Sequence, residues 1–330
     1  MIAAISFIYT ALGGFRVVVV TDRIQMAFIW LLIIAMCIYY AVVVTDQGLA
    51  VSLNNIPAEL RTLTWNNGLT AFIAGIAVMN LLTFVSNMGL WQRIAGSQHP
   101  EVVTRGMWSS VLASGVSWSL LAITAVGAFM FVTPVAGENL LVTLLGSMQS
   151  TVIGQATIFC VVLGLYGAML STASTQLIAV SHTLYEDVIA PFRKADVHER
   201  ADLKIEAFWS RLILVVSAFV AVAAVEALRI WGFTVADLAF AVYGAALGLV
   251  PPILMTLFMD RKATKKLSRP ATWAVALGFI SCWAAAAYGR SISDANLVFL
   301  SPIISTTVAA TIMLSAWAML KFKGPEPVGR

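Results

Sequence analysis

Charged residues are scarce in this chain. Asp, Glu, Lys and Arg make up 11% of the 330 residues, whereas 60% are hydrophobic and fall into several long apolar runs. This balance excludes an ordinary soluble protein and leaves no segment over for a soluble domain. It predicts an all-α polytopic membrane protein embedded in the lipid bilayer.

Cysteine clusters and enzyme motifs are also missing. The three cysteines, Cys37, Cys160 and Cys282, lie within apolar runs rather than in loops, which argues against a disulfide framework. The sequence has no H-E-x-x-H motif, no paired membrane aspartates and no G-x-S-G motif with a histidine partner. We therefore predict that the protein is not an enzyme and needs no cofactor.

Eight segments are long and apolar enough to cross a membrane as helices, which takes about 20 residues each. We treat residues 1–330 as a single transmembrane domain. Residues 1–9 are too few for a crossing, and we expect them to be the tail of a truncated helix, with residues 10–24 as a connection. The predicted spans are 25–44, 69–91, 107–132, 155–182, 207–228, 237–259, 271–288 and 297–320.

The basic residues are distributed unevenly between the two sides of this topology. Seventeen of the 20 Lys and Arg residues fall in alternate connections and at the C-terminus, and three fall on the opposite side. Because basic loops stay in the cytoplasm, we predict a cytoplasmic C-terminus. We separately expect the membrane to be a bacterial inner (plasma) membrane, which the count of basic residues does not itself indicate. The net charge of +4 reflects this orientation, so we expect no nucleic-acid partner.

The fourth predicted span carries hydroxyl side chains near its middle, in MLSTASTQLI (residues 169–178). On a helical projection one side of this span is small and rich in oxygen, whereas the other positions are large and apolar. The small side is formed by Gly164, Gly167, Ala168, Ser171, Thr172, Ser174 and Thr175. Such hydroxyls either bond to helix backbones or coordinate a hard cation, and the pattern leaves both interpretations open.

Two other spans contain features typical of broken helices. Ser86 and Asn87 lie near the cytoplasmic end of the second span, where an unwound segment and a simple helix end both fit the pattern. Arg93 follows at the position of an interface anchor. In the sixth span, Gly248 and the pair 251–252 (Pro-Pro) predict a kink that frees backbone carbonyls.

Several segments together resemble the sodium:solute symporter family. Residues 9–25, YTALGGFRVVVVTDRIQ, are similar to the family signature Y-T-x-x-G-G-x-x-x-V-x-x-T-D-x-x-Q. SNMGLWQRIAG (residues 86–96) resembles the second block, and AMLSTASTQLIAVSHTLYEDV (residues 168–188) resembles the third, A-x-x-S-T with a later T-x-x-x-x-D. The segment GAALGLVPPILMTLF is similar to the family's G-x-x-x-G-P helix.

The resemblance implies part of a ten-helix inverted-repeat (LeuT-like) transporter fold, namely core helices five to ten plus two accessory helices. It implies a sodium-coupled symporter that moves a small organic solute by alternating access, with Na+ as the coupling ion. We expect the missing first repeat before Met1 or on a separate polypeptide. The alternative is a non-transporting membrane sensor or scaffold, or an inactive gene fragment of the same family.

The same resemblance assigns an ion site. The Ala168 carbonyl and the hydroxyls of Ser171 and Thr172 would supply about half of a sodium shell. Asp22 and Thr175 would lie on the ion path. For Asp22, which precedes the first predicted span, the competing interpretation is an ordinary helix cap.

Three further residues are candidates for the substrate cavity. Ser86 and Asn87 belong to the second span, and Tyr243 on the sixth span either offers its hydroxyl to the interior or packs against neighbours. Gly89 occupies the position at which some sugar-transporting members of the family have a gating tyrosine. The resemblance therefore argues against a sugar, but no residue separates the solute classes, so amino acids, carboxylates, sugars, urea and vitamins all stay open.

Overall fold

The architecture is all-helical in a computed structural model that describes residues 2–48, 56, 64–97, 99–132, 140–192 and 199–322. The described ranges contain no β-strand. The predicted all-α class is confirmed for this part of the chain.

The described residues form twelve α-helices. In chain order they are α1 Ile2–Gln47, α2 Asn67–Ser86, α3 Met88–Ala95, α4 Pro100–Ala128, α5 Leu140–Ser147, α6 Val152–Leu184, α7 Glu199–Ile230, α8 Val235–Ala246, α9 Val250–Phe258, α10 Arg261–Lys266, α11 Ser268–Ser291 and α12 Ala295–Phe322. Short 3-10 or π-helical turns follow α5, α6 and α8.

Eight stretches of the described chain are long and apolar enough to cross a membrane. They are Val17–Asp46, Asn67–Ala95, Pro100–Ala128, Val152–Phe192, Ala207–Ile230, Val235–Phe258, Ser268–Ser291 and Ala295–Phe322. Each of them contains or overlaps one predicted span. The length and composition of these helices make the chain an integral, multi-pass membrane protein. The short apolar helix α5 was not predicted.

The N-terminal region differs from the prediction. We expected residues 10–24 to connect a helix tail to the first span, but α1 continues without interruption from Ile2 to Gln47; Met1 lies outside the described residues. The segment contains no proline, and a continuous helix satisfies its own backbone hydrogen bonds in lipid. Asp22 therefore lies inside a helix, and its interpretation as a helix cap is wrong.

Contacts divide the chain into two units, which we describe separately. Unit 1 comprises Met1–Leu63 and Trp91–Ala223, and unit 2 comprises Thr64–Leu90 and Ala224–Arg330. In unit 1, α1 packs along α6 and also contacts α4. In unit 2, α11 packs along α12, and both α2 and α8 pack against α12.

Helices are interrupted in unit 2 at the kink predicted in the sixth span and at Asn87, where the sequence left a helix end and an unwound segment open. Asn87, with φ −81° and ψ 100°, separates α2 from α3. A 3-10 turn, Leu247–Leu249, separates α8 from α9. It directly precedes Val250, Pro251 and Pro252. The proline nitrogens cannot donate to carbonyls in the preceding turn, which explains why the regular helix stops there.

A third proline is accommodated without a break. Pro302 lies inside α12 and removes the N–H that would normally bond to the carbonyl of Val298. The buried hydroxyl of Ser301 donates to that carbonyl at 2.7 Å. The side chain thus replaces the backbone donor, and α12 continues to Phe322.

Candidate functional site

A polar cluster lies between the apolar helices of unit 1. Asp22 on α1 accepts two charged or polar donors: Ser171 Oγ at 2.7 Å on Oδ1, and Arg93 Nη2 at 2.6 Å on Oδ2. The same Arg93 nitrogen lies 3.1 Å from Thr175 Oγ1. We call Asp22, Arg93, Ser171 and Thr175 the Asp22 cluster. Three helices, α1, α3 and α6, contribute to it.

Small residues on α6 bring this cluster together. A Cβ atom on Gly164 would lie 2.5 Å from Leu32 Cβ, and one on Gly167 would lie 3.0 Å from the backbone oxygen of Gln25. The two helix backbones therefore approach closely one and two turns from Ser171. That approach places the short Ser171 side chain within hydrogen-bond distance of α1.

The charges of the cluster are only partly buried within the protein. The Asp22 side chain is 19% exposed and the Arg93 side chain is 44% exposed. Both residues fall within candidate spans, where an unpaired charge is strongly unfavourable and ionisable residues are usually paired. Each carboxylate oxygen of Asp22 accepts one of the two bonds. The ion pair and the hydroxyl contact can therefore form together and hold the carboxylate in a single orientation.

The predicted sodium ligands are only partly brought together. Ser171 joins Asp22, but Thr172 is exposed and donates its hydroxyl to the Ala168 carbonyl of its own helix at 3.0 Å. Ser174 likewise donates to the Ser171 carbonyl at 3.1 Å. These local bonds are the kind that hydroxyls make in passive membrane helices. The role of Ala168, Ser171 and Thr172 as sodium ligands stays a prediction.

The donor atoms around Asp22 limit the kinds of ion that fit. They are carboxylate and hydroxyl oxygens, which suit hard cations rather than transition metals, and the guanidinium of Arg93 lies beside them. The described residues contain no group of three or more His, Cys, Asp or Glu side chains that could hold a metal.

The candidates for a substrate cavity lie in unit 2. The Ser86 hydroxyl donates to the Thr83 carbonyl at 3.2 Å, and the Asn87 side-chain oxygen accepts the backbone N–H of Leu90 at 3.2 Å. The side chain of Asn87 thus caps the start of α3, while the backbone of Asn87 is not helical. Tyr243 lies on α8 and is 41% exposed. Their predicted role in binding solute stays a prediction.

Arg93 is the member of the cluster that sequence analysis missed. We interpreted it as an interface anchor, whereas its guanidinium pairs with Asp22, 71 positions away in the chain. A charged residue within a span is expected to have a partner, but the predicted spans 25–44 and 69–91 excluded both Asp22 and Arg93, so this expectation was not applied to them. That expectation was the available signal.

Comparison with known proteins adds no relative. No protein-family model, no curated protein and no solved structure matches the chain. A functional assignment therefore depends on the sequence pattern and on the geometry of the Asp22 cluster.

Proposed function

We propose that the chain is the ion-coupling part of a sodium-coupled secondary transporter that moves a small organic solute by alternating access. The observation that carries the proposal is the Asp22 carboxylate, which lies inside a candidate span and is held by Ser171 and Arg93 from two other helices. Ionisable residues at such positions most often mark ion or substrate pathways.

Sodium and Arg93 compete for the same carboxylate in this proposal. The ion approaches along the exposed flank of α6 that carries Ala168 and Thr172, about 60° to 100° around the helix from Ser171. It is coordinated by the oxygens of Asp22 and Ser171 and weakens the Arg93 contact. Because α3 carries Arg93, release of the contact frees α3 from α1.

The helix breaks provide the second line of support. Transporters commonly place solute and ion sites beside discontinuous helices, whose freed backbone groups serve as ligands. In unit 2 the interruptions at Asn87 and at Leu247–Leu249 are of this type. They support a solute site in unit 2, with Ser86, Asn87 and Tyr243 as the residues to test.

The driving force of one sodium ion is sufficient for concentrative uptake. An ion that moves down about 100 mV and a tenfold gradient releases about 3.7 kcal/mol, which corresponds to several hundredfold accumulation of a neutral solute. No covalent chemistry is involved.

The test is sodium-stimulated uptake by cells that express the complete reading frame containing these residues. A panel of radiolabelled amino acids, carboxylates, urea and vitamins identifies the solute first. We then expect Ser171→Ala and Thr172→Ala to abolish the sodium-stimulated component without lowering the amount of protein in the membrane.

Ser119→Ala is the matched control. Ser119 also lies in a candidate span, is exposed, and donates to the Gly115 carbonyl of its own helix at 2.8 Å. We expect this variant to retain uptake. Normal uptake by Ser171→Ala at both limiting and saturating sodium would contradict the proposal.

A static scaffold is the competing function, because the Asp22–Arg93 pair could serve only to hold α1 and α3 together. The two functions differ in their dependence on sodium. If the protein is a static scaffold, its thermal stability is the same in sodium chloride and in choline chloride. For the transporter, sodium raises stability of the wild type and has no effect on Asp22→Asn.

A further inference from the structure

The connection between α9 and α11 is strongly basic. Residues 260–270, DRKATKKLSRP, carry five basic side chains and one acidic side chain. We call Arg261, Lys262, Lys265, Lys266 and Arg269 the basic cluster. One candidate span ends at Phe258 and the next begins at Ser268, so the cluster lies at the membrane surface, where lipid headgroups lie.

The basic cluster is fixed to unit 2 by a buried leucine. Leu267 is 3% exposed and forms a small core with Ala274, Ala309 and Met313. This core ties the end of α10 to α11 and α12. The positive charges are therefore presented on a packed surface rather than on a free loop.

Two grooves border the basic cluster. The first, of about 510 Å³, runs between α11 and α12 and is mainly apolar; its lining includes Arg269, Trp273, Ile312, Ala316 and Met319. The second, of about 590 Å³, is lined by Asp260, Arg261, Lys262, Ala263, Lys266 and Leu320. One groove is thus suited to an apolar chain and the other to an anionic group.

Most of the basic side chains lack protein partners. Within the described residues, no ion pair or side-chain hydrogen bond engages Arg261, Lys262, Lys265 or Arg269. By contrast, Arg93 is paired with a carboxylate. Unpaired basic groups at a membrane surface attract anions, each contributing about 1 kcal/mol near an anionic leaflet.

Trp273 lines the apolar groove, and Trp317 lies on the same helix as Met319 without lining the groove. Trp273 is 64% exposed and Trp317 is 39% exposed, and the Lys321 ammonium lies 5.3 Å from the centre of the Trp317 ring. Tryptophan beside lysine is typical of the boundary between headgroups and acyl chains. The groove therefore spans this boundary.

We propose that this end of unit 2 binds an anionic phospholipid of the bilayer. The lipid phosphate contacts Arg261, Lys262 and Arg269, and one acyl chain lies in the groove beside Trp273 and Met319. A second copy of the chain fits the same surface less well, because a symmetric contact would bring two sets of five positive charges together.

The proposal is tested on the purified 330-residue chain in neutral detergent. Fluorescent phosphatidylglycerol is titrated and its apparent Kd is measured by anisotropy, with phosphatidylcholine carrying the same dye as the comparison lipid. We expect a preference for phosphatidylglycerol. In the double variant Arg261→Gln/Arg269→Gln, the Kd should rise about fivefold for each charge removed.

Lys265→Gln is the matched control, because Lys265 lies on the same helix and lines neither groove. It should raise the Kd clearly less than the removal of Arg261 or Arg269, because its charge acts on the lipid only from a distance, and Arg269→Lys should retain binding. If Lys265→Gln weakened lipid binding as much as the loss of Arg261 or Arg269, the lipid would be held only by the diffuse positive charge of this surface, and the proposal would be overturned. Displacement of the lipid by inorganic phosphate, absence of a lipid preference, or a dimer that dissociates in Trp273→Ala would also overturn it.

Discussion

Replacing Arg93 by glutamine tests the energetics of the Asp22 cluster. The substitution removes the guanidinium that lies 2.6 Å from Asp22 Oδ2 and leaves the carboxylate with the Ser171 hydroxyl. Two unit charges about 4 Å apart attract by about 4 kcal/mol at an effective dielectric constant of 20, which is an upper bound before desolvation and ordering are subtracted. Exposed pairs contribute about 0.2–1 kcal/mol.

The exposure of the pair places it between these limits. With side chains 19% and 44% exposed, we expect a coupling free energy of about 1–2 kcal/mol between Asp22 and Arg93. The two single variants should differ. Arg93→Gln leaves the more buried charge without its partner, whereas Asp22→Asn leaves the more exposed one, so Arg93→Gln should be the more destabilising.

The assay is a double-mutant cycle on thermal or denaturant unfolding of the purified protein in one detergent. The double variant should be less destabilised than the sum of the single variants, because both remove the same interaction. Additive effects, or a larger loss in Asp22→Asn than in Arg93→Gln, would show that the two side chains do not form this ion pair in the folded protein.

The remaining predictions concern packing and backbone bonding. Gly164→Ala should destabilise the protein by about 1–3 kcal/mol, because its Cβ would overlap α1. Gly115→Ala, on a helix position with nothing within 4 Å, should be neutral or stabilising. Ser301→Ala should lower stability by about 1 kcal/mol, but not in a Pro302→Ala background, where the backbone N–H bonds to Val298.

Both comparisons are made by thermal unfolding of the purified variants. Equal effects of the two glycine substitutions would contradict close packing of α1 and α6. Equal loss from Ser301→Ala in both backgrounds would show that the hydroxyl does not substitute for the missing donor.

Apolar length and proline were sufficient to predict most of the helices. Each span needs about 20 apolar residues, and Pro251 and Pro252 interrupt a helix for a local reason that is visible in the sequence. The connection predicted at residues 10–24 was wrong because residues 1–9 were treated as the end of a separate helix that is too short for a crossing, whereas Gly13, Gly14 and Asp22 do not forbid a continuous helix.

The Asp22 cluster could not be predicted from the sequence, because it depends on contacts between segments that are distant in the chain. Nothing in the local pattern distinguishes Ser171, which reaches Asp22, from Thr172, which bonds to its own helix. The difference arises from the direction of α1 relative to α6, which Gly164 and Gly167 determine by close approach. Pairing of Arg93 likewise depends on where α3 begins after Asn87.

The uninterrupted first helix has a mechanical consequence. Its 46 residues form a rod about 69 Å long, more than twice the thickness of the hydrocarbon layer. Asp22 lies near the midpoint and Asp46 lies about 36 Å away. A tilt of about 5° that pivots at Asp22 moves the distant end by about 3 Å, so a small change in the angle of α1 at the Asp22 cluster becomes a displacement of several ångströms near Asp46.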